Sequence, residues 1–223
     1  MATPYDVIYD LFLNENQDID LLALSEDLLA KRLFLYLKTG IALLDERVYY
    51  NLSNRTDAQH TSYDLVSDGT DTIILNPAPP TGSNFYVQVG DNVLGENDYT
   101  FDGTDTITTT TTYDAGLDIY IGAYTNGQFT DNINFTVQNI FKVVMQMAHI
   151  NYKKYRDGFL NFQVYGKDFN IHSPANHLGT LQGLSNDQRQ EIERMIIDYD
   201  YYHADQDLYD TLKGVWDYGI WKY

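Results

Sequence analysis

The chain has 223 residues, 32 of them acidic and 14 basic, for a formal net charge of −18. That balance excludes attachment to nucleic acid through phosphate contacts, which need clustered Lys and Arg. Cys is absent, so disulfides, thiol catalysis and thiolate metal sites fall away together.

A hydrophobic content of 43% supports a core, and the length fits one mid-sized domain or one carrying a smaller insertion. No run of about 20 apolar residues offers a membrane span. The opening Met1-Ala-Thr-Pro-Tyr-Asp6 lacks the basic and apolar regions of a signal peptide. The 20 Tyr, 10 Phe and 2 Trp are an excess of the side chains that favour protein interfaces.

Taken in chain order, Tyr5, Ile8, Tyr9 and Phe12 fall on one helical face, with Pro4 suited to the first turn. Ser25 is placed to cap a second helix, whose positive end Glu26 and Asp27 favour. Leu37, Ile41, Leu44 and Val48 continue that helix toward an end near Asn51.

The texture then changes. Residues 63–129 are dense in Thr, Gly, Asp and Asn, with alternating runs such as Phe85, Val87, Val89 and Ile119, Ile121. Asp68-Gly-Thr-Asp-Thr-Ile73 recurs as Asp102-Gly-Thr-Asp-Thr-Ile107. Asp-Gly ahead of a Thr/Ile strand signals a turn with Gly at positive φ. A calcium loop is the sharper alternative, but the distal bidentate Glu of an EF-hand is missing.

Helical spacing returns with Ile133, Val137, Ile140, Val144 and Met147. Ser185 with Gln188 three residues later reads as a capping box ahead of Ile192, Met195, Ile196 and Tyr199. Residues 205–223 show no sustained period but carry Tyr209, Trp216, Tyr218, Ile220, Trp221 and Tyr223, interrupted by Gly214 and Gly219.

The expected fold is therefore α+β: a helical bundle (1–62 and 130–204), an inserted small antiparallel β-sandwich or barrel (63–129), and an extended C-terminal arm (205–223). Sites for chemistry are sparse. No phosphate-binding glycine loop and no His-Glu-x-x-His pattern occur. The five His (His60, His149, His172, His177, His203) read as ordinary hydrogen-bonding groups, and a metal shared by His172 and His177 has no supporting pattern. No catalytic, cofactor-binding or metal residues are assigned, and no cofactor is expected. The aromatic residues of the arm are the candidate partner contact, because large aromatics act as interface anchors.

Pro4-Tyr-Asp-Val-Ile-Tyr-Asp-Leu-Phe-Leu13, Leu35-Tyr-Leu-Lys38 and Asn51-Leu-Ser-Asn-Arg-Thr-Asp57 resemble the neck proteins of tailed bacteriophages. Lys167-Asp-Phe169 and Ser173-Pro-Ala-Asn-His-Leu178 resemble the second half of the same family. The resemblance covers the helical parts and implies a head–tail connector, or adaptor, without enzymatic activity. Such a protein forms a dodecameric ring beneath the portal protein and joins it to a tail, stopper or nozzle protein. Double-stranded DNA passes through the lumen without specific binding, and the C-terminal arm engages the portal.

Phe85-Tyr-Val-Gln-Val-Gly90, Asp98-Tyr-Thr-Phe-Asp-Gly103 and Ala115-Gly-Leu-Asp-Ile-Tyr120 are similar to a β repeat of phage tail-fibre and related virion proteins. The insert is accordingly expected on the outside, holding tail or neck fibres. The expected location is the virion neck, after assembly in the host cytoplasm. The competing reading is a virion module that binds a fibre, a receptor or a glycan.

Overall fold

The computed structural model describes residues 2–45, 47–161 and 174–217, with 157–161, 174–178 and 204–217 as backbone only. Among them are five helices and three small antiparallel sheets, and no sheet closes into a barrel. The chain divides into two compact units, Met1–Leu35 with Asn54–Asn132, and Tyr36–Ser53 with Ile133–Tyr223.

The first unit opens with β1 (Thr3–Pro4) and α1 (Tyr5–Glu15), followed by α2 (Ile19–Leu22) and the first part of α3 (Glu26–Leu44). α1 buries Tyr5, Ile8, Tyr9 and Phe12, the face its spacing predicts. Pro4 lies just outside the helix in extended conformation, at the N-cap rather than inside the first turn. The Tyr5 ring meets Phe129 edge-on with centroids 4.9 Å apart and stacks on Phe34 at 6.0 Å. Its backbone N–H donates to the Gly127 carbonyl at 3.0 Å. Gly127 has to be Gly, because a Cβ there would lie 2.5 Å from the Thr56 carbonyl oxygen.

The strands follow: β2 (Arg55–Thr56), β3 (Gln59–Val66), β4 (Thr72–Ile74), β5 (Asn84–Val89), β6 (Asn92–Leu94), β7 (Tyr99–Phe101), β8 (Thr106–Thr109), β9 (Asp118–Thr125) and β10 (Gln128–Phe129). They pair in the orders β1-β10-β2, β3-β9-β5-β6 and β4-β8-β7. Tyr63, Val87, Val89, Ile119, Ile121 and Ala123 of the four-stranded sheet share one hydrophobic cluster with Ile73 and Ile107 of the three-stranded one and with Leu75, just past β4. Strand alternation dictates this: residues two apart point to one face, and the buried ones are the apolar half.

The Asp-Gly-Thr echo is the visible part of a longer duplication. Positions 68 and 102 are thirty-four residues apart, and at that offset Gly82 matches Gly116, Tyr86 matches Tyr120, and Val87 matches Ile121. Ile73 pairs with Ile107, and Val87 with Ile121, so each residue sits opposite its own counterpart. The hydrogen bonds obey the same two-fold relation. Leu75 N–H donates to Asp105 O at 2.7 Å, and Thr109 N–H to Asp71 O at 2.8 Å. Gly69 and Gly103 take φ of +88° and +91°, as the turn reading requires. The Asp68 and Asp102 carboxylates accept the N–H and hydroxyl of Thr70 and Thr104, at 2.6–2.9 Å, closing Asx turns.

The expected edges of the β part, 63 and 129, differ from the observed ones. β3 starts at Gln59 opposite Thr125 of β9, while β10 pairs with β1 and β2. Residues 1–35 therefore belong to the same unit as the strands rather than to a helical half. Two-residue strands held by long-range partners leave no period in a sequence.

The second unit holds the rest of α3, α4 (Phe135–Asn161) and α5 (Pro174–Asp217). Leu37, Ile41, Leu44, Val137, Ile140, Phe141, Val144, Ile192, Ile196 and Tyr199 form its buried core. Gly40 allows close approach to α4, since a Cβ there would lie 2.8 Å from the Phe141 ring.

Three helix boundaries depart from the sequence reading. α3 stops at Leu44, so Val48 is not helical. Ser185 is no cap: α5 already runs through it, and its hydroxyl donates to Asn151 Oδ1 at 3.0 Å. Residues 205–217 continue α5 instead of forming an extended arm. A helix in progress tolerates an interior Gly such as Gly214 at about 1 kcal/mol, and the only Pro of α5 is its first residue.

Candidate functional site on the tyrosine face

The second face of the four-stranded sheet is built by the same alternation that buries the first. His60 of β3, Tyr86 of β5, and Tyr120, Gly122 and Tyr124 of β9 all lie on it. Tyr86 and Tyr120, the duplicated pair, are in edge contact with centroids 6.1 Å apart. The first turn of α3 brings Glu26 and Asp27 onto this face.

Asp27 is fully buried. Its Oδ2 accepts from Tyr120 Oη at 2.6 Å and lies 3.0 Å from His60 Nε2. Burial alone would raise its carboxyl, but hydrogen bonds from Tyr120 and His60 outweigh that, and the net shift is below the ordinary 3.8. Tyr120 moves the other way, raised by burial and by its bond to Asp27. Gly122 makes this fit possible, since a Cβ there would collide with the Asp27 carboxyl group. By joining the first turn of α3 to His60 of β3 and Tyr120 of β9, the Asp27 carboxylate acts as a latch holding α3 to the sheet.

Beside the latch lies a groove of about 690 Å³. Phe85, Tyr86, Tyr99 and Tyr124 supply its aromatic walls, and Glu26 and Glu96 its charge. Each phenol is tied down: Tyr99 Oη donates to Phe85 O at 3.0 Å, Tyr86 Oη to Gln88 Oε1 at 3.1 Å, and Tyr124 Oη faces Glu26 Oε2 at 3.4 Å. Burial, and then the Glu26 charge, push the Tyr124 phenol up to about 12. Tyr99 is raised by burial and by Glu96 and Glu26. No Lys or Arg is among the described residues lining the groove. A smaller, mostly apolar cleft of about 190 Å³ lies between α1, α3 and the sheet edge, lined by Tyr9, Ala30, Phe34, Leu35 and Tyr124.

No known protein family and no curated protein matches this chain. What the site can do is therefore read from its geometry.

The expected partner residues are not among those whose side chains the structure describes. Tyr209 and Trp216 are on the part of α5 described as backbone only, and Tyr218, Ile220, Trp221 and Tyr223 lie outside the described residues. Among the His, His149 Nδ1 lies 3.0 Å from the Tyr36 hydroxyl in the second unit, and His203 sits among the rings of Tyr49, Tyr199 and Tyr202. His177 is described as backbone only, and His172 and the Lys167-Asp-Phe169 motif lie outside the described residues. Among the described residues no three His, Asp or Glu side chains are placed to hold a metal ion, and no helix is long and apolar enough to cross a membrane.

Neither the latch nor the groove was singled out from sequence. The run Tyr120-Ile-Gly-Ala-Tyr124 does place two tyrosines and a glycine on one strand face. Its partner Asp27 stands 93 positions earlier, a distance no local pattern bridges.

Proposed function

We propose that the chain is a structural virion protein of a tailed bacteriophage, a head–tail adaptor without enzymatic activity. Copies would form a dodecameric ring that docks under the portal and joins it to the tail while DNA passes through the lumen. In this reading the two sheets that share a core are the faces of a small β-sandwich. The remainder of α3, with α4 and α5, forms the helical bundle, and the β unit faces outward to hold a fibre or another neck or tail protein.

The observation that carries the reading is the apolar surface of the long helices. Ile197, Tyr201 and Tyr202 of α5 and Phe135 and Tyr155 of α4 are each more than 60% exposed. Large apolar side chains left exposed on the helices are candidates for burial in an assembly, and lateral contacts between copies would cover them. The strongly acidic chain fits a lumen that DNA must slide through without being gripped. The quoted resemblance to neck proteins adds the portal as partner, and Tyr209, Trp216, Tyr218, Ile220, Trp221 and Tyr223 as its anchor.

The test is direct. Negative-stain microscopy of the chain mixed with portal-bearing capsids should show added density beneath the portal, and deletion of 214–223 should abolish it. Wild-type chain that leaves the capsids bare at saturating concentration would sink the adaptor reading. The second reading, a fibre- or receptor-binding virion module, is favoured by the tyrosine groove. It predicts binding to fibre or host surface by chain that never forms rings.

A further inference from the structure

We propose that the groove lined by Tyr86, Tyr99, Tyr124, Glu26 and Glu96 is a binding site for a basic peptide segment, with an Arg side chain of a protein partner as its occupant. The groove requires no adaptor role for this, so the two readings stand or fall separately.

Shape comes first. A concavity of about 690 Å³ is within the usual range of roughly 300–1,000 Å³ for ligand sites, and it is large enough for an extended side chain with its flanking backbone. Its walls are half-buried aromatic rings whose hydroxyls are already committed: Tyr99 to the Phe85 carbonyl and Tyr86 to Gln88. These rings are held in place before any ligand arrives, which lowers the ordering cost of binding.

Charge then selects the occupant. Two carboxylates and no lining cation give the groove one sign, and low-dielectric walls concentrate that field. After burial, the Glu26 charge helps raise the Tyr86, Tyr99 and Tyr124 phenols, and Glu96 helps raise Tyr99. Glu26 has only a long contact with Tyr124, and Glu96 has no hydrogen bond or ion pair among the described residues. A planar guanidinium matches this surface twice, stacking on a phenol face and pairing with a carboxylate in fork geometry. A neutral sugar could stack on the same rings but would leave the charge unmatched.

The experiment is a titration of the ¹⁵N-labelled full chain with acetyl-Gly-Arg-Gly-amide, followed by amide shifts. The neutral citrulline version of the peptide and maltotriose serve as comparison probes. The expected result is saturable shifts confined to 83–86, 93–99, 124 and the start of α3 for the Arg peptide alone. They should weaken as NaCl rises from about 20 to about 500 mM, where screening shortens from about 20 Å to a few ångström. Glu96→Gln, on an exposed turn, and Glu26→Gln should each weaken binding about threefold or more. Native shifts in the unliganded variants will show that both remain folded. Equal binding of the citrulline peptide, preferential binding of maltotriose, shifts that map elsewhere, or no saturable shift with the Arg peptide would each overturn the assignment.

Discussion

Replacing Asp27 with Ala removes the one acceptor that serves Tyr120 Oη and His60 Nε2 in the latch. Each bond to a charged acceptor contributes about 1.5–3 kcal/mol net, and each donor left buried and unmatched adds a desolvation penalty. Losing the anion's own burial cost offsets part of this, leaving an expected destabilisation of about 3–5 kcal/mol. That is a large share of the roughly 5–15 kcal/mol that holds a domain folded. Hydrogen exchange at β3 and β9 amides reads the effect where it acts, and urea unfolding followed by tyrosine emission supplies the global value. Tyr120→Phe in the same background completes a double-mutant cycle, whose coupling should exceed about 1 kcal/mol. A loss below about 1 kcal/mol for Asp27→Ala, or a coupling near zero, would refute the latch. The pH dependence carries a definite sign. A carboxyl depressed below its ordinary 3.8 stabilises the fold fully above that pH and progressively less as pH falls below it. Asp27→Asn should therefore flatten the stability curve below about pH 4.

Gly122→Ala should cost about 1–3 kcal/mol in urea unfolding, because its Cβ collides with Asp27, and should become nearly neutral when combined with Asp27→Ala. Gly103→Val forces a β-branched residue to φ of +91°, so a loss of about 1–3 kcal/mol in thermal unfolding is expected, against no measurable loss for Thr112→Val. The Asp102 carboxyl, held by Thr104 side-chain and backbone donors, should titrate at about 2 by ¹³C NMR, and Thr104→Val should move it upward. Unchanged titration in that variant would remove the Thr104 hydroxyl as the cause.

Local physics made some of this fold readable. The buried face of α1 and the left-handed glycines of the two Asp-Gly turns follow from side-chain period and backbone sterics within a few residues. The misses are the long-range features. Ser185 looks like a cap because Gln188 follows it, yet Leu181 is packed one turn earlier and the helix never stops. Glu26 and Asp27 look alike as first-turn acids. Only the distant strand β9 separates them, burying one beneath Tyr120 and leaving the other on the rim of a groove. The tyrosines of that groove come from β5, β7 and β9, and no sequence window holds them together.

The duplication in the β unit governs how this part of the chain can fold. The matched strands β5 and β9 lie in the four-stranded sheet and β4 and β8 in the three-stranded one, and each pairs with its counterpart in the other repeat. Neither half can bury its isoleucines alone, so no partial product of about 34 residues is a stable species. Contacts that join positions 73 and 107 close long loops before any burial compensates, which places assembly of the β unit late relative to its local turns. A ribosome must release both copies before the first can settle, and a protease cut between them would leave two pieces still clasped together.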